Sequence, residues 1–418
     1  MSPLRNIISR AEPVFATGLP GAHRVIIFFI IQSFFSRETL GSVSSWLFIA
    51  QIAGFFTAIG WSSLILVRIP KSASSRVEAQ ETANLSWMSI ISLAITVSII
   101  LFTGKILNAP LDAVYISLLL GGWTTYQTTR HYLIAKRKYK RIITLDLIII
   151  TSTAISLSIT KNTFGIIFAI SLPMFLAGIA NTGIILYKER IRTITIKFEP
   201  KGIEFGFTNF LSGGIPLSIV PLALHFDDSK TAGAIAIFLS ISAIAILIPR
   251  AISLHQISEI SRSMATSGNI ETLIPRMSRH ILISNTLTTI LNSLMAIYLI
   301  TTNEEGLTYA QAVTLFILVI QNFISTQSLV DSNILMSAER SRFMLIMNLP
   351  LSTVFFSTAA ILYIIKPQHS LIIICFTMLL LTITRSIATR AYARKELRNL
   401  TLLSHTKNYP CPVIKPPS

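Results

Sequence analysis

The hydrophobic positions of this chain gather into twelve stretches of about twenty residues, divided by short polar and basic segments. They run approximately over 13–34, 41–67, 84–104, 112–133, 142–160, 164–187, 204–225, 233–256, 280–301, 309–332, 343–365 and 370–390. A helix of that length crosses the hydrocarbon core of a bilayer. Two stretches are interrupted. The first carries Gly18, Pro20, Gly21, His23 and Arg24, and the tenth carries Gln321, Asn322, Gln327 and Asp331. The alternative is eleven spans, with one of these two lying in the interface.

Composition agrees with a lipid solvent. Hydrophobic residues are 52% of 418 and charged residues 13%, about half the usual globular share. The mean hydropathy is +0.66. The expected fold is an all-α polytopic membrane protein, with twelve transmembrane helices in two six-helix lobes around a central cavity. Its parts are an N-terminal lobe over 1–190, a C-terminal lobe over 191–390 and a basic, Pro-rich cytoplasmic tail over 391–418.

The net charge of +17 has a topological explanation. With the N-terminus inside and twelve crossings, 26 of the 35 Lys and Arg fall on the cytoplasmic side, 5 on the outer side and 4 within spans. This is the positive-inside pattern at every inner segment, and removing span 1 or span 10 would spoil it. Both termini are therefore expected in the cytoplasm, with anionic headgroups as neighbours and no role for nucleic acid. The basic start is followed by no small-residue cleavage site before span 2, so no cleavable signal is expected.

All outer loops are short, so none can hold a soluble domain. The inner connections 188–203 and 257–279 could each hold an interfacial helix. The second places Ile257, Ile260 and Met264 opposite Glu259, Arg262 and Ser263. There is no GxxxxGK[ST], HExxH, Cys-x-x-Cys or GxSxG. The seven histidines are scattered singly, and Cys375 and Cys411 make no disulfide framework. Neither a metal, a cofactor nor an enzyme activity is expected. The pairs Asp227-Asp228 and Glu304-Glu305 read as solvated turns.

The two halves resemble one another. Phe15-Ala-Thr-Gly18-Leu-Pro20 in span 1 parallels Phe210-Leu-Ser-Gly213-Gly214-Ile-Pro216 in span 7. Spans 2 and 8 both end on arginine, Arg68 and Arg250. Proline removes a backbone donor and bends a helix, so Pro20 and Pro216 are candidate hinges. Matched Gly/Pro breaks in two halves also point to a transporter binding site.

Charge within a span is costly, about 2.5–3.5 kcal/mol at the bilayer centre on insertion scales. Arg24 lies about 16 Å from one end of its span, too far for easy snorkelling. It either lines a cavity or is locked in a buried ion pair; carboxylates are too scarce to pair every arginine. Arg250 is partly buried, and its place in the second half's bundle favours the cavity over snorkelling. Arg130 and Arg385, nearer inner ends, snorkel or line the same cavity. Asp146 could bind a proton or sodium ion, or pair with Arg141 or Arg130. Asp331 reads as a cap or ion-pair partner. Gln51, Asn181, Asn209, Asn285, Asn292, Gln321 and Asn348 are explained by interhelical hydrogen bonds, and some could touch sugar hydroxyls. Four arginines against one aspartate favour an anionic cargo.

Twelve spans, the six-plus-six split and the run Thr39-Leu-Gly41, Ile59-Gly60-Trp61, Val67-Arg68 resemble the O-antigen and polysaccharide flippases. These are Wzx-type members of the multidrug/oligosaccharidyl-lipid/polysaccharide (MOP) exporter superfamily. The resemblance implies two lobes packed as a V in a bacterial inner membrane. It implies a cargo of oligosaccharide on undecaprenyl pyrophosphate, passed from the cytoplasmic to the periplasmic leaflet by alternating access. A polysaccharide polymerase and a chain-length regulator would be partners. Arginines on the first and eighth helices line the cavity in related flippases, and Arg24 and Arg250 match them in helix and depth. No second acidic cavity residue is evident. Two alternatives remain: an ion-coupled exporter of small organic cations, which would use Asp146, and a membrane-embedded polysaccharide polymerase, which the short outer loops disfavour.

Overall fold

A computed structural model describes residues 3–69, 74–188, 197–250, 252–253, 260, 270–302, 308–338, 340–367 and 369–406. The described residues form twelve helical spans and no strand. Span 1 is Pro3–Phe34, one continuous helix through Pro13 and Pro20. Span 2 joins Arg37–Gly54 to Gly60–Arg68 through a single wide π turn, Phe55–Ile59. Spans 3 to 6 are Ser75–Ile106, Pro110–Ala135, Tyr139–Ile159 and Thr163–Lys188. Span 7 repeats the device of span 2: Pro200–Asn209, a π turn at Phe210–Gly214, then Ile215–Phe226. Span 8 is Ser229–Ala245, a turn at Ile246 and a helical continuation over 247–250.

Span 9 is Ile270–Thr302. Span 10 is Tyr309–Gln327 followed, after a break at Ser328, by Leu329–Ser337. Spans 11 and 12 are Ser341–Ile365 and Ser370–Thr406. Both interrupted stretches thus cross as helices, and the eleven-span alternative falls. The twelfth helix continues well past 390, so the first part of the expected tail extends span 12. Most of the two proposed interfacial segments, the pair Glu304-Glu305 and the Pro-rich end lie outside the described residues.

The surface confirms which solvent these helices meet. Ile91, Ile95, Ile99 and Phe102 of span 3 are exposed on one face. Its buried positions are mostly small or polar, among them Ala79, Thr82, Ala83, Ser86 and Ser89. That pattern is inverted relative to a soluble helix. Lipid tails accept the large apolar face, while small residues let helices approach. The protein is a multi-pass membrane protein.

Span 2 runs between the two halves. At one end, a Cβ on Gly41 would stand 2.2 Å from the carbonyl oxygen of Ser229 in span 8. At the other, a Cβ on Gly60 would stand 2.3 Å from the carbonyl oxygen of Gly202 in span 7. Gly202 itself lies under the Trp61 ring. Backbone meets backbone at these points, which only glycine permits. Between them the two π turns face each other through aromatic rings, with Phe55 edge-on to Phe210 at 6.3 Å and Phe56 edge-on to Phe207 at 4.9 Å.

Candidate functional site

Span 1 places Arg24 beside span 2. Its Nη1 donates to Gln51 Oε1 at 3.1 Å, and its guanidinium carbon lies 5.8 Å from the centre of the Phe48 ring. The buried Nε has no hydrogen-bond partner among the described residues. No described carboxylate lies within salt-bridge distance of Arg24. Among the described residues, therefore, Arg24 is not locked in the ion pair that the sequence leaves open for it.

Gly18, about two turns before Arg24, is where span 1 meets span 8: a Cβ there would lie 2.6 Å from Leu247 Cδ1. Three residues beyond Leu247 stands Arg250. It is exposed. Arg24 and Arg250 thus stand on two helices that pack against one another across the boundary between the halves. Two cations on adjoining helices, neither paired to a described carboxylate, favour an anion between them.

The other two arginines lie elsewhere. Arg130 of span 4 is 7% exposed, so it does not snorkel to the membrane surface. Its Nη2 donates to the carbonyl of Ala16 and its Nε lies 3.8 Å from Asp146 Oδ2. Ala16 is four residues before Pro20, and proline has no N–H to give that carbonyl. Arg130 supplies the missing donor. Tyr126 donates to Asp146 Oδ1 at 2.7 Å, which completes a buried Arg–Asp–Tyr cluster inside the first half. Of the open partners for Asp146, the structure selects Arg130. Arg141 bonds instead to Asn181 Oδ1 at 2.7 Å.

Arg385 of span 12 does the same for the second half. Its Nη1 donates to the Leu211 carbonyl at 3.3 Å. In the π turn the Ile215 N–H reaches the Phe210 carbonyl, so the next carbonyl, Leu211, would wait for residue 216. Residue 216 is proline. Sequence reasoning identifies both prolines and both arginines but not that each arginine answers one proline. It also misses the π turns; their only sequence sign is glycine at Gly54, Gly60, Gly213 and Gly214.

Arg385 also lines a pocket inside the second half, with Gln321, Ser325, Asn348 and Thr382 and the apolar Leu211, Ile215, Pro216, Leu351, Met378 and Leu381. Gln51, Asn181, Asn209 and Asn285 bond between helices as expected, Asn209 to Ser63 Oγ at 3.2 Å and Asn285 to the Phe323 carbonyl at 2.9 Å. For Asn292, Gln321 and Asn348 that expectation fails: no side-chain hydrogen bond to another helix forms among the described residues. Asp331 pairs with Arg390 at 3.5 Å. Asp227 and Asp228 bond to Thr231 as turn residues.

Comparison with solved structures identifies the architecture. A MATE protein in complex with MaL6 superposes with a TM-score of 0.62 at 14% identity, over 96% of this chain and 98% of that one. This is the fold of MATE transporters of the MOP superfamily. The MATE multidrug transporter DinF-BH gives 0.64 at 13% identity, covering 96% of this chain and 97% of that one. A third neighbour is a MOP superfamily transporter from Pyrococcus furiosus, described by a reverse polarity of its binding pocket that suggests a different function. It gives 0.53 at 13% identity over 96% and 97% of the two chains. Neither a protein-family model nor a curated protein matches the sequence.

Proposed function

We propose that the protein is a MOP-type transporter that flips an oligosaccharide carried on undecaprenyl pyrophosphate across a bacterial inner membrane by alternating access. The observation that carries this reading is the packing of span 1 on span 8, the helices that carry Arg24 and Arg250, two arginines from opposite halves with no described carboxylate paired to either. Guanidinium forks bind phosphate oxygens bidentately. A pyrophosphate head brings about two negative charges to the two cations. Outward movement of negative charge also runs with an inside-negative potential, worth about 2.3 kcal/mol per charge per 100 mV. The lipid tail stays in the bilayer, and only the head group needs a polar path. The Pyrococcus neighbour supports the sign argument, because a reversed pocket polarity on this fold was itself taken to suggest another function.

A second reading has its own support. Solved neighbours are MATE multidrug transporters, which favours export of a small organic cation. That chemistry needs a carboxylate to exchange a proton or sodium ion, and the candidate is Asp146. Here Asp146 is already held by Arg130 and Tyr126, and for this reason we place the anionic cargo first.

Reconstitution into vesicles with a lipid-linked oligosaccharide separates the two. Leaflet-to-leaflet movement of the oligosaccharide, accelerated by an inside-negative potential, is the expected result. Movement of a cationic dye with no movement of the oligosaccharide would reverse the order.

A further inference from the structure

The pocket inside the second half is built for a ligand of its own. Three polar side chains converge on it from spans 10, 11 and 12. Asn348 is fully buried, and both Nδ2 and Oδ1 lack partners among the described residues. Gln321 is 2% exposed, and its Oε1 lacks one. Arg385 has its Nη1 fixed on the Leu211 carbonyl, while its buried Nε has no partner among the described residues. No described carboxylate lies within salt-bridge distance of Arg385. Among the lining residues, Leu211, Ile215, Leu351, Met378 and Leu381 are apolar.

Buried amides left without hydrogen bonds are costly, and a partly buried guanidinium without a counter-ion adds to that cost. Water satisfies the amides but leaves the charge. A single negative ion answers the unpartnered donors and the charge together, taking hydrogen bonds from Arg385 Nε and Asn348 Nδ2 and neutralising one guanidinium. The Gln321 amide can join by presenting Nε2, since its two terminal atoms exchange by rotation. One positive charge in an otherwise uncharged pocket sets the ion's charge at one. The crowding of apolar side chains around it favours a compact, weakly hydrated ion.

We propose that the cavity between spans 7, 10, 11 and 12 binds a monovalent inorganic anion of chloride size, held by the Arg385 guanidinium and the Asn348 carboxamide. The site lies within one lobe and is separate from the pair Arg24 and Arg250. It does not depend on which cargo the protein carries. Because the same guanidinium caps the carbonyl that Pro216 leaves open, the ion fixes the donor that holds the bend of span 7.

The test uses the full chain in nanodiscs, exchanged into gluconate, with chloride added back at constant ionic strength. Chloride-35 linewidth and the unfolding temperature are both read. The expected result is saturable line broadening with a parallel rise in Tm. Both responses are lost in Arg385→Gln and in Asn348→Leu, and both are kept in Arg24→Ala. Should Arg385→Gln fail to fold, Asn348→Leu leaves the cap on Leu211 in place and decides alone. Identical behaviour of the wild-type chain in gluconate and chloride overturns the proposal. So does a response that survives Asn348→Leu, and so does one abolished only by Arg24→Ala, which would put the ion between the lobes.

Discussion

Arg130 donates to the carbonyl of Ala16, the group that Pro20 leaves without its helical partner. The expected consequence is a coupling between Arg130 and Pro20, far apart in sequence. Arg130→Met strands a buried carbonyl, a loss of about 1–3 kcal/mol. Pro20→Ala restores the N–H at residue 20 and lets the helix satisfy Ala16 itself. In that background the same arginine replacement is expected to cost less by about 1 kcal/mol. Loss of the Asp146 pairing is common to both backgrounds and cancels in the cycle. Thermal unfolding of the four variants measures the coupling, and additive effects would refute the cap.

Arg24→Ala is expected to abolish surface polysaccharide, or lipid-linked oligosaccharide movement in vesicles, at unchanged protein level. Arg24→Lys keeps the charge but loses the planar fork, so it is expected to retain partial activity, reduced roughly tenfold. Normal polysaccharide in Arg24→Ala would remove this residue from the mechanism.

Asp146 separates the two transport readings. Asp146→Asn keeps the shape of the Tyr126 and Arg130 cluster and removes its negative charge. On the flippase reading the variant loses stability, because Arg130 is left buried with its charge unpaired, yet the protein that folds still moves oligosaccharide. On the cation-exporter reading, dye export disappears in protein that remains folded. Transport per folded molecule, assayed for both cargos, gives the answer.

Glycine at the seam is expected to be intolerant of even one carbon. Gly41→Ala drives a methyl into the Ser229 carbonyl, where the Cβ would stand 2.2 Å away. An overpacking loss of about 1–3 kcal/mol follows. Gly121, with nothing within 4 Å of its added Cβ, serves as the control. There alanine is expected to be neutral or to stabilise by about 0.5–1 kcal/mol through helix propensity. Denaturation midpoints of the two variants check the contrast.

The spans were legible because lipid imposes length and apolarity on every helix, so even the interrupted spans 1 and 10 were found. Position along a helix was legible too: Arg24 lies well inside the long helix Pro3–Phe34. Direction around the helix axis was not. Arg130 and Arg385 looked able to reach the membrane surface, since sequence distance from a span end says nothing of which neighbour the side chain meets. Their targets are backbone carbonyls 114 and 174 residues away, which no local pattern encodes. The same limit hid the second-half pocket. Gln321 and Asn348 look like the other amides within spans, and only their shared surroundings with Arg385 distinguish them.

The glycine contacts of span 2 have one mechanical consequence. Backbones touch near both of its ends, at Ser229 on one side and at Gly202 on the other. Any swing of one lobe against the other must either part both contacts or turn about the line joining them, as covers turn about the spine of a book.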